Sequence, residues 1–207
     1  MSTILLTGFE PFGEHETNPA VAVTERLDGA SFGGVPVVGH ELPVVFDEAL
    51  PTLRKHVEEF DPVAIVSLGL MPGRRALTVE RVGINVRDYD GVPDNDGAEP
   101  VDDPIVADGP AAYFATLPIR DLVAASRDAG VPARVSNTAG THLCNNILYQ
   151  TRHYVATDGS RVDAGFVHVP LSHQQAARRE ETVPSMSLDA MTSGVRAMLA
   201  ELATRYR

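Results

Sequence analysis

The sequence predicts a single α/β domain, and three observations support this fold class. Segments with the apolar pattern of strands alternate with helical segments along the whole chain. Residues 63–68 form a near-continuous apolar run, which is typical of a parallel strand buried on both faces. The chain has 207 residues, 43% of them hydrophobic, which is enough for one substantial core. It contains no repeat, low-complexity tract or interdomain linker, so one domain is expected over residues 1–207.

The predicted elements follow one another in a regular order. The first strand covers residues 4–7 and ends in a loop of glycine and phenylalanine residues. Asn18 caps the first helix, which begins at Pro19 and runs to about residue 27. A helix at 47–60 tolerates Pro51 because it falls in the first turns. Further strands are predicted at 35–42, 63–68, 77–85, 133–137 and 165–169, and further helices at 118–129, from near 143, and at 188–206.

A long connection at 88–110 is rich in Pro, Gly and Asp. Structureless segments of this length are uncommon in compact domains unless they serve a function. We therefore expect this connection to take part in the function of the protein.

The composition argues against several functional classes. Acidic residues number 28 against 17 basic ones, a net charge of −11, and a field of this sign repels nucleic acid phosphates. No apolar run approaches the roughly 20 residues needed to span a bilayer, and the N-terminus lacks a signal-peptide pattern. A single cysteine favours a reducing compartment. The sequence thus predicts a cytoplasmic protein that binds neither nucleic acid nor membrane.

The same charge balance suggests a halophilic source as a hypothesis, because high salt screens the self-repulsion of an acidic protein. The alternative is an ordinary acidic protein from an arginine-rich genome, since Lys55 is the only lysine. A chain that is fully folded and active in dilute buffer would exclude the halophilic hypothesis.

Cys144 is the first candidate for chemistry. A small, flexible turn follows a predicted buried strand and leads into the helix that carries this residue. In an open α/β fold, that context places a side chain at the carboxyl edge of the sheet. The helix N-terminus is predicted to stabilise the thiolate and lower the pKa of the cysteine, and its free N–H groups can bind an oxyanion. The alternative is a buried, inert cysteine.

His168 and Glu80 lie in two other predicted strands. An imidazole near the end of an apolar strand needs a polar partner, although a hydrogen-bonded core histidine would satisfy the same pattern. With a period of two, Glu80 shares a face with Thr78, Val82 and Ile84, so its carboxylate also needs a partner unless it points to solvent. A cysteine, a histidine and a carboxylate form the arrangement of a thiol hydrolase. His142 and His173 are competing candidates for the base.

Metal and phosphate sites are less well supported. The seven histidines show no zinc-protease spacing, and one cysteine is too few for structural zinc. The basic, glycine-containing segment 71–75 is not a phosphate-binding P-loop. Asp94, Asp96, Asp102 and Asp103 depart from the spacing of an EF-hand and are expected to form a solvated acidic loop. Neither a metal nor a cofactor is predicted.

Four segments resemble the pyroglutamyl peptidase I (pyrrolidone carboxyl peptidase) family: LTGFEPFG at 6–13, the segment from GR at 73–74 to ERV at 80–82, residues 136–145, and FVHVP at 166–170. PDN at 93–95 and PSMS at 184–187 continue the resemblance over nearly the whole chain. It implies a three-layer α/β/α fold around a mostly parallel twisted sheet. It also implies cofactor-free hydrolysis of the amide bond after an N-terminal pyroglutamyl residue. The glutamate, cysteine and histidine of the family fall on Glu80, Cys144 and His168.

The resemblance also implies a substrate pocket. The two phenylalanines of the first loop would line an aromatic slot for the lactam ring, with further positions near the lactam on residues that follow in the chain. These residues are Phe9, Phe12, Asn18, the backbone of Leu70, and Leu143. His142 stands where the family usually has an aromatic residue, which would make the slot more polar. The segment 88–95 is one residue longer than the family pattern and lacks its arginine, for which Arg87 is a candidate substitute.

Two alternative functions stay open at this point. One is a thiol hydrolase that acts on another small lactam or amide, and the other is a catalytically silent protein that binds pyroglutamyl peptides. Members of the family occur in more than one assembly state, so the resemblance also allows a homo-oligomer, either a dimer or a tetramer.

Overall fold

A seven-stranded sheet forms the centre of the molecule. A computed structural model describes residues 2–89 and 91–207. Met1 and Asp90 lie outside the described residues, and Asp90 belongs to the lengthened segment 88–95. The strands are β1 (Ile4–Phe9), β2 (Ser31–Phe32), β3 (Val35–Leu42), β4 (Ala64–Leu70), β5 (Leu77–Glu80), β6 (Val82–Ile84), β7 (Ala112–Phe114), β8 (Ala133–Ser136), β9 (Asp163–Val169), β10 (Leu171–Ser172) and β11 (Ser185–Met186). The central sheet has the strand order β2-β3-β1-β4-β9-β5-β8.

Helices cover both faces of this sheet. They are α1 (Pro19–Leu27), α2 (Ala49–Phe60), α3 (Ile119–Asp128), α4 (Leu143–Asp158), α5 (His173–Ala177) and α6 (Leu188–Ala203), and a 3₁₀ turn follows at Thr204–Tyr206. One apolar core joins α1, α3 and α6 to the first face, and a second joins α2 and α4 to the other. Every residue of β4 is buried, as predicted for a strand covered on both faces. The three-layer α/β/α fold is confirmed.

The strand directions decide where side chains meet. Strands β3, β1, β4 and β9 are parallel, so their carboxyl ends lie at one edge. Strand β5 runs antiparallel to β9, and β8 runs parallel to β5, so these two strands point the other way. Strand β1 continues to Phe9, two residues beyond the predicted end, and carries that ring to the shared edge.

The predicted strand at 77–85 is two strands that belong to different sheets. Strand β5 ends at Glu80, and β6 pairs antiparallel with β7 in a separate two-stranded sheet. At the break, Arg81 donates its N–H to Ser136 of the central sheet and accepts from the N–H of Ala115. The prediction that Glu80 shares a face with Val82 and Ile84 is therefore wrong, whereas Thr78 does lie on its face, with its Oγ1 3.2 Å from Oε1 of Glu80.

The long connection is irregular, as predicted, and is held by side-chain caps. Its described residues from 85 to 111 contain no helix or strand element. The carboxylate of Asp94 is buried and accepts hydrogen bonds from the backbone N–H groups of Phe46, Asp96 and Ala98. The predicted solvated acidic loop is therefore wrong for Asp94, because its charge is used to fold the connection against the segment before α2.

Candidate active site

A buried carboxylate and a buried imidazole form the centre of the site. Oε1 of Glu80 lies 2.9 Å from Nδ1 of His168, and both side chains have no solvent exposure. A carboxylate accepts hydrogen bonds, so Nδ1 carries the hydrogen and Nε2 is left as the basic nitrogen. Nε2 is buried and has no hydrogen-bond partner among the described residues. The pair thus presents one free basic nitrogen, as a general base requires.

Cys144 is the second residue of α4, and its sulfur stands against strand β4. A Cβ atom placed on Gly69 would lie 2.7 Å from Sγ of Cys144 and 2.6 Å from Cζ of Phe166. Gly69 is paired with His168 in the neighbouring strand. Because side chains alternate along a strand, Phe166 and His168 point to the same face. The thiol therefore lies on the face that carries the imidazole, one strand away.

The chain reaches this position by a route that the sequence did not predict. Strand β8 runs antiparallel to β9, so its carboxyl end points away from the edge where β4 and β9 end. Ser136, the last residue of β8, and Phe166 of β9 are both paired with Glu80 of β5. The segment 137–142 then turns back and brings the sulfur of Cys144 against Gly69. The turn, and not the strand, places the thiol at the shared edge.

The predicted lowering of the cysteine pKa is wrong. Burial raises the pKa of the Cys144 thiol to about 12, and the charge of Glu80 adds to the rise. Burial also lowers the pKa of His168, against the hydrogen bond that its Nδ1–H donates to Glu80, which raises the pKa. Desolvation outweighs the helix N-terminus, so the thiol of Cys144 and the imidazole of His168 are both neutral at neutral pH.

A narrow slot opens beside the sulfur and contains every residue that was predicted to bind substrate. Its volume is about 20 Å³, and its walls are Phe9, Phe12, Asn18, Val44, Leu70, His142, Leu143 and Cys144. Phe9 is buried at the end of β1, Leu70 is buried at the end of β4, and Leu143 begins α4. Apart from Asn18 and His142, the walls are apolar side chains, as expected of a pocket for a small apolar ring.

Hydrogen bonds to Glu10 hold the loop after β1 against the slot. Asn18 caps α1 by accepting from the N–H of Ala20, as predicted, and its Nδ2 donates to the carbonyl of Glu10. The Glu10 carboxylate accepts from the N–H of Val44 and from Nδ2 of Asn95. Val44 was missed in the sequence because an apolar residue after a strand gives no signal of a pocket.

His142 forms a wall of the slot and also holds the long connection in place. Its Nε2 lies 2.9 Å from the carbonyl of Val92, so Nε2 must be the donor. Its ring lies edge-on to Phe46, with centroids 5.2 Å apart. His142 makes no side-chain cap on α4, so the first N–H groups of that helix have no intrahelical or side-chain acceptor from the N-cap.

The other candidates are placed elsewhere. His173 is exposed and its Nδ1 contacts Oγ of Ser185, outside the slot. Arg87 pairs with Asp47 at 2.8 Å and does not line the slot. Within the described ranges, no group of three or more His, Cys, Asp or Glu side chains is placed to hold a metal ion.

Arg74 is a neighbour of the site that sequence reasoning did not single out. Its guanidinium lies 3.9 Å from Oε1 of Glu80, and it contacts Oγ of Ser136 and the carbonyl of Thr138 in the segment before Cys144. The charge of Arg74 lowers the pKa of His168. A basic residue in a glycine-containing loop gave no indication of these contacts, which depend on the relative positions of β5, β8 and the segment that follows β8.

The fold and the site together define a cysteine hydrolase of the α/β type with a pocket for a small apolar group. Comparison with known proteins specifies the family. The sequence model described as pyroglutamyl peptidase matches residues 2–206, and the chain belongs to this family.

Individual relatives agree with this assignment. The chain is 44% identical over 203 residues to a pyrrolidone-carboxylate peptidase of Streptomyces coelicolor, covering 98% of this chain and 93% of the relative. A pyrrolidone-carboxylate peptidase of Escherichia fergusonii is 46% identical over 191 residues, with 92% and 88% coverage. A solved mutant pyrrolidone carboxyl peptidase of Pyrococcus furiosus superposes with a TM-score of 0.95 at 38% identity, with 99% and 100% coverage. None of the helices in residues 2–89 and 91–207 combines the length and apolar character that a bilayer span requires.

Proposed function

We propose that this protein is an active cysteine exopeptidase that hydrolyses the amide bond after an N-terminal pyroglutamyl residue. The observation that carries the proposal is the arrangement around Cys144: its sulfur shares a sheet face with the free Nε2 of a Glu80-bound imidazole and also lines the slot. Pyroglutamate is a small lactam without a charged amine. An apolar slot that contains Asn18 and His142 suits such a ring.

The proposed reaction begins with the two neutral groups. As the thiol approaches the carbonyl carbon, Nε2 of His168 takes the sulfur-bound proton, and the new S–C bond forms. Glu80 holds the imidazole in the required tautomer and stabilises the imidazolium. The free N–H groups at the start of α4 stabilise the oxyanion. No preformed thiolate is needed, because deprotonation accompanies attack.

The second half of the reaction reverses the proton transfer. His168 donates the proton to the departing amine as the C–N bond breaks, which leaves a thioester between Cys144 and the pyroglutamyl group. Water, deprotonated by Nε2, then attacks the thioester carbonyl and releases free pyroglutamate and the thiol. Nε2 has no hydrogen-bond partner among the described residues, so we expect the distance between Nε2 and Sγ to shorten when substrate binds.

The proposal is tested with chromogenic amides of pyroglutamate, proline and alanine. We expect turnover of the pyroglutamyl amide, and its loss in Cys144→Ala with unchanged folding measured by circular dichroism. Full activity of Cys144→Ala would overturn the mechanism. Preferred turnover of a different amide would favour the alternative thiol hydrolase, and tight binding of pyroglutamyl peptides without turnover would favour the silent binding protein.

We also propose a cytoplasmic location and assembly into a dimer or tetramer. The free cysteine Cys144 supports a reducing compartment, where thiols stay reduced. Light scattering after size-exclusion chromatography would test the assembly state, and a monomer would contradict the prediction.

A further inference from the structure

A second, larger cavity adjoins the slot at the nucleophile. It lies between residues 12–15 after β1, residues 71–72 after β4, residues 89 and 92 of the long connection, and residues 139–142 before α4. Its volume is about 680 Å³, and it shares Phe12, Leu70, His142 and Cys144 with the slot. We call this cavity the leaving-group cleft.

The position of the cleft follows from the proposed function, on which this inference rests. The carbonyl carbon under attack must lie at Sγ of Cys144, with the lactam ring in the slot. The rest of the peptide must then leave the nucleophile by the adjoining open space, which is the leaving-group cleft. We propose that the cleft binds the residue after pyroglutamate and favours a large, uncharged apolar or aromatic side chain at that position.

The walls of the cleft are largely apolar. Met71, Pro72, Tyr89 and Val92 line it, and the side chain of Val92 is 39% exposed. Met71 is held in place because its Sδ accepts a hydrogen bond from Nε of Arg74 at 3.1 Å. Such a preformed apolar surface gains from contact with an apolar side chain.

The charged groups of the cleft neutralise one another. Arg179 pairs with Glu14 at 2.6 Å on the rim. Burial, with a further contribution from Arg179, lowers the pKa of His15, so its imidazole is neutral at pH 7. Among the described residues that line the cleft, no charge is therefore left to pair with an acidic or basic side chain, which would lose hydration there without compensation.

The inference is tested with peptides of the form pyroglutamyl-X-Ala-Gly, in which X is Phe, Leu, Gly, Asp or Lys. We expect kcat/KM for Phe and Leu to exceed that for Gly, Asp and Lys by about tenfold. Equal kcat/KM across the series, or a preference for a charged X, would overturn the inference and leave the proposed function standing. Failure to cleave any of the peptides would overturn the proposed function itself.

Variants identify the walls that are responsible. In Tyr89→Ser, we expect the ratio of kcat/KM for Phe over Gly to fall about threefold. Val92→Ser, which changes an exposed side chain, tests the same ratio if the first variant fails to fold. The matched control is Phe114→Ser, because Phe114 is 68% exposed on β7 and lies outside the cleft. A normal ratio in both wall variants, or an equal fall in the control, would contradict the assignment.

The rim pair provides an independent test. Arg179→Met removes the partner of Glu14 and leaves its negative charge in the cleft. We expect the ratio of kcat/KM for X = Lys over X = Asp to rise about fivefold at low salt, and the effect to shrink at high salt. An unchanged ratio at low salt would show that the side chain of X does not reach this part of the cleft and would overturn the inference.

Discussion

Replacing Gly69 with alanine tests the position of the nucleophile most directly. The added Cβ would lie 2.7 Å from Sγ of Cys144 and 2.6 Å from Cζ of Phe166, whereas unstrained contacts lie at about 3.5–4.0 Å. The sulfur must therefore move by roughly 1 Å, and a displacement of this size at a reacting group costs about 100-fold in rate. We expect kcat/KM for a pyroglutamyl amide to fall about 100-fold, which corresponds to about 2.7 kcal/mol.

Gly165→Ala is the matched control, because it crowds the opposite face of the same sheet. Its Cβ would lie 2.6 Å from Cδ1 of Leu117, far from the thiol face. Overpacking of this kind costs about 1–3 kcal/mol, so both variants should unfold at lower urea concentration, while Gly165→Ala keeps wild-type kcat/KM. A folded Gly69→Ala enzyme with wild-type kcat/KM would refute the position inferred for the sulfur. Equal loss of activity in Gly165→Ala would show that crowding alone explains the effect.

Three further predictions concern the proton relay. Glu80→Gln removes the charge that holds Nδ1–H of His168, and kcat should fall on the order of 10⁴-fold, as when a triad carboxylate is replaced by an amide; a loss below tenfold would contradict the orienting role. Because the pKa of Cys144 is about 12, alkylation by iodoacetamide should rise about tenfold per pH unit from pH 7 to 9; a plateau would instead indicate a preformed thiolate–imidazolium pair. Activity needs the neutral imidazole and is lost as pH falls through the pKa of His168. Arg74 lowers that pKa, so Arg74→Gln should move the acid limb of kcat/KM to higher pH, whereas the exposed neighbour Arg75→Gln should not; identical pH profiles would exclude the electrostatic effect.

Glu80, Cys144 and His168 could be found in the sequence because each is an unusual residue type for its sequence context. A glutamate and a histidine inside apolar strands are costly unless they meet a partner. The structure pairs Glu80 with His168 without solvent exposure, so that Oε1 of the carboxylate and Nδ1 of the imidazole satisfy each other. The single cysteine after a glycine-containing turn is likewise conspicuous. The positions in the slot came from the family resemblance, since Phe9 and Phe12 alone read as core residues.

The remaining features depend on contacts between distant parts of the chain. The alternation from 77 to 85 fits one strand, but β6 turns away to pair with β7, which follows about thirty residues later. No local sequence pattern encodes this change from one sheet to another. The predicted lowering of the Cys144 pKa was wrong for a related reason. The helix N-terminus acts locally and can be predicted from the sequence, whereas desolvation depends on the residues that the whole fold packs around the sulfur.

The proposed role of the slot predicts that it rejects a charged N-terminus. With a volume of about 20 Å³, it holds about one water molecule, so a lactam bound there as proposed would have to open it, and the partly exposed Phe12 is the wall best able to move. A free N-terminal proline has nearly the same ring but carries an ammonium group. Its charge would enter a slot whose described lining contains no carboxylate. The cost of an unpaired buried charge would fall on the prolyl peptide alone, so the absence of an acid from the described lining favours the uncharged lactam.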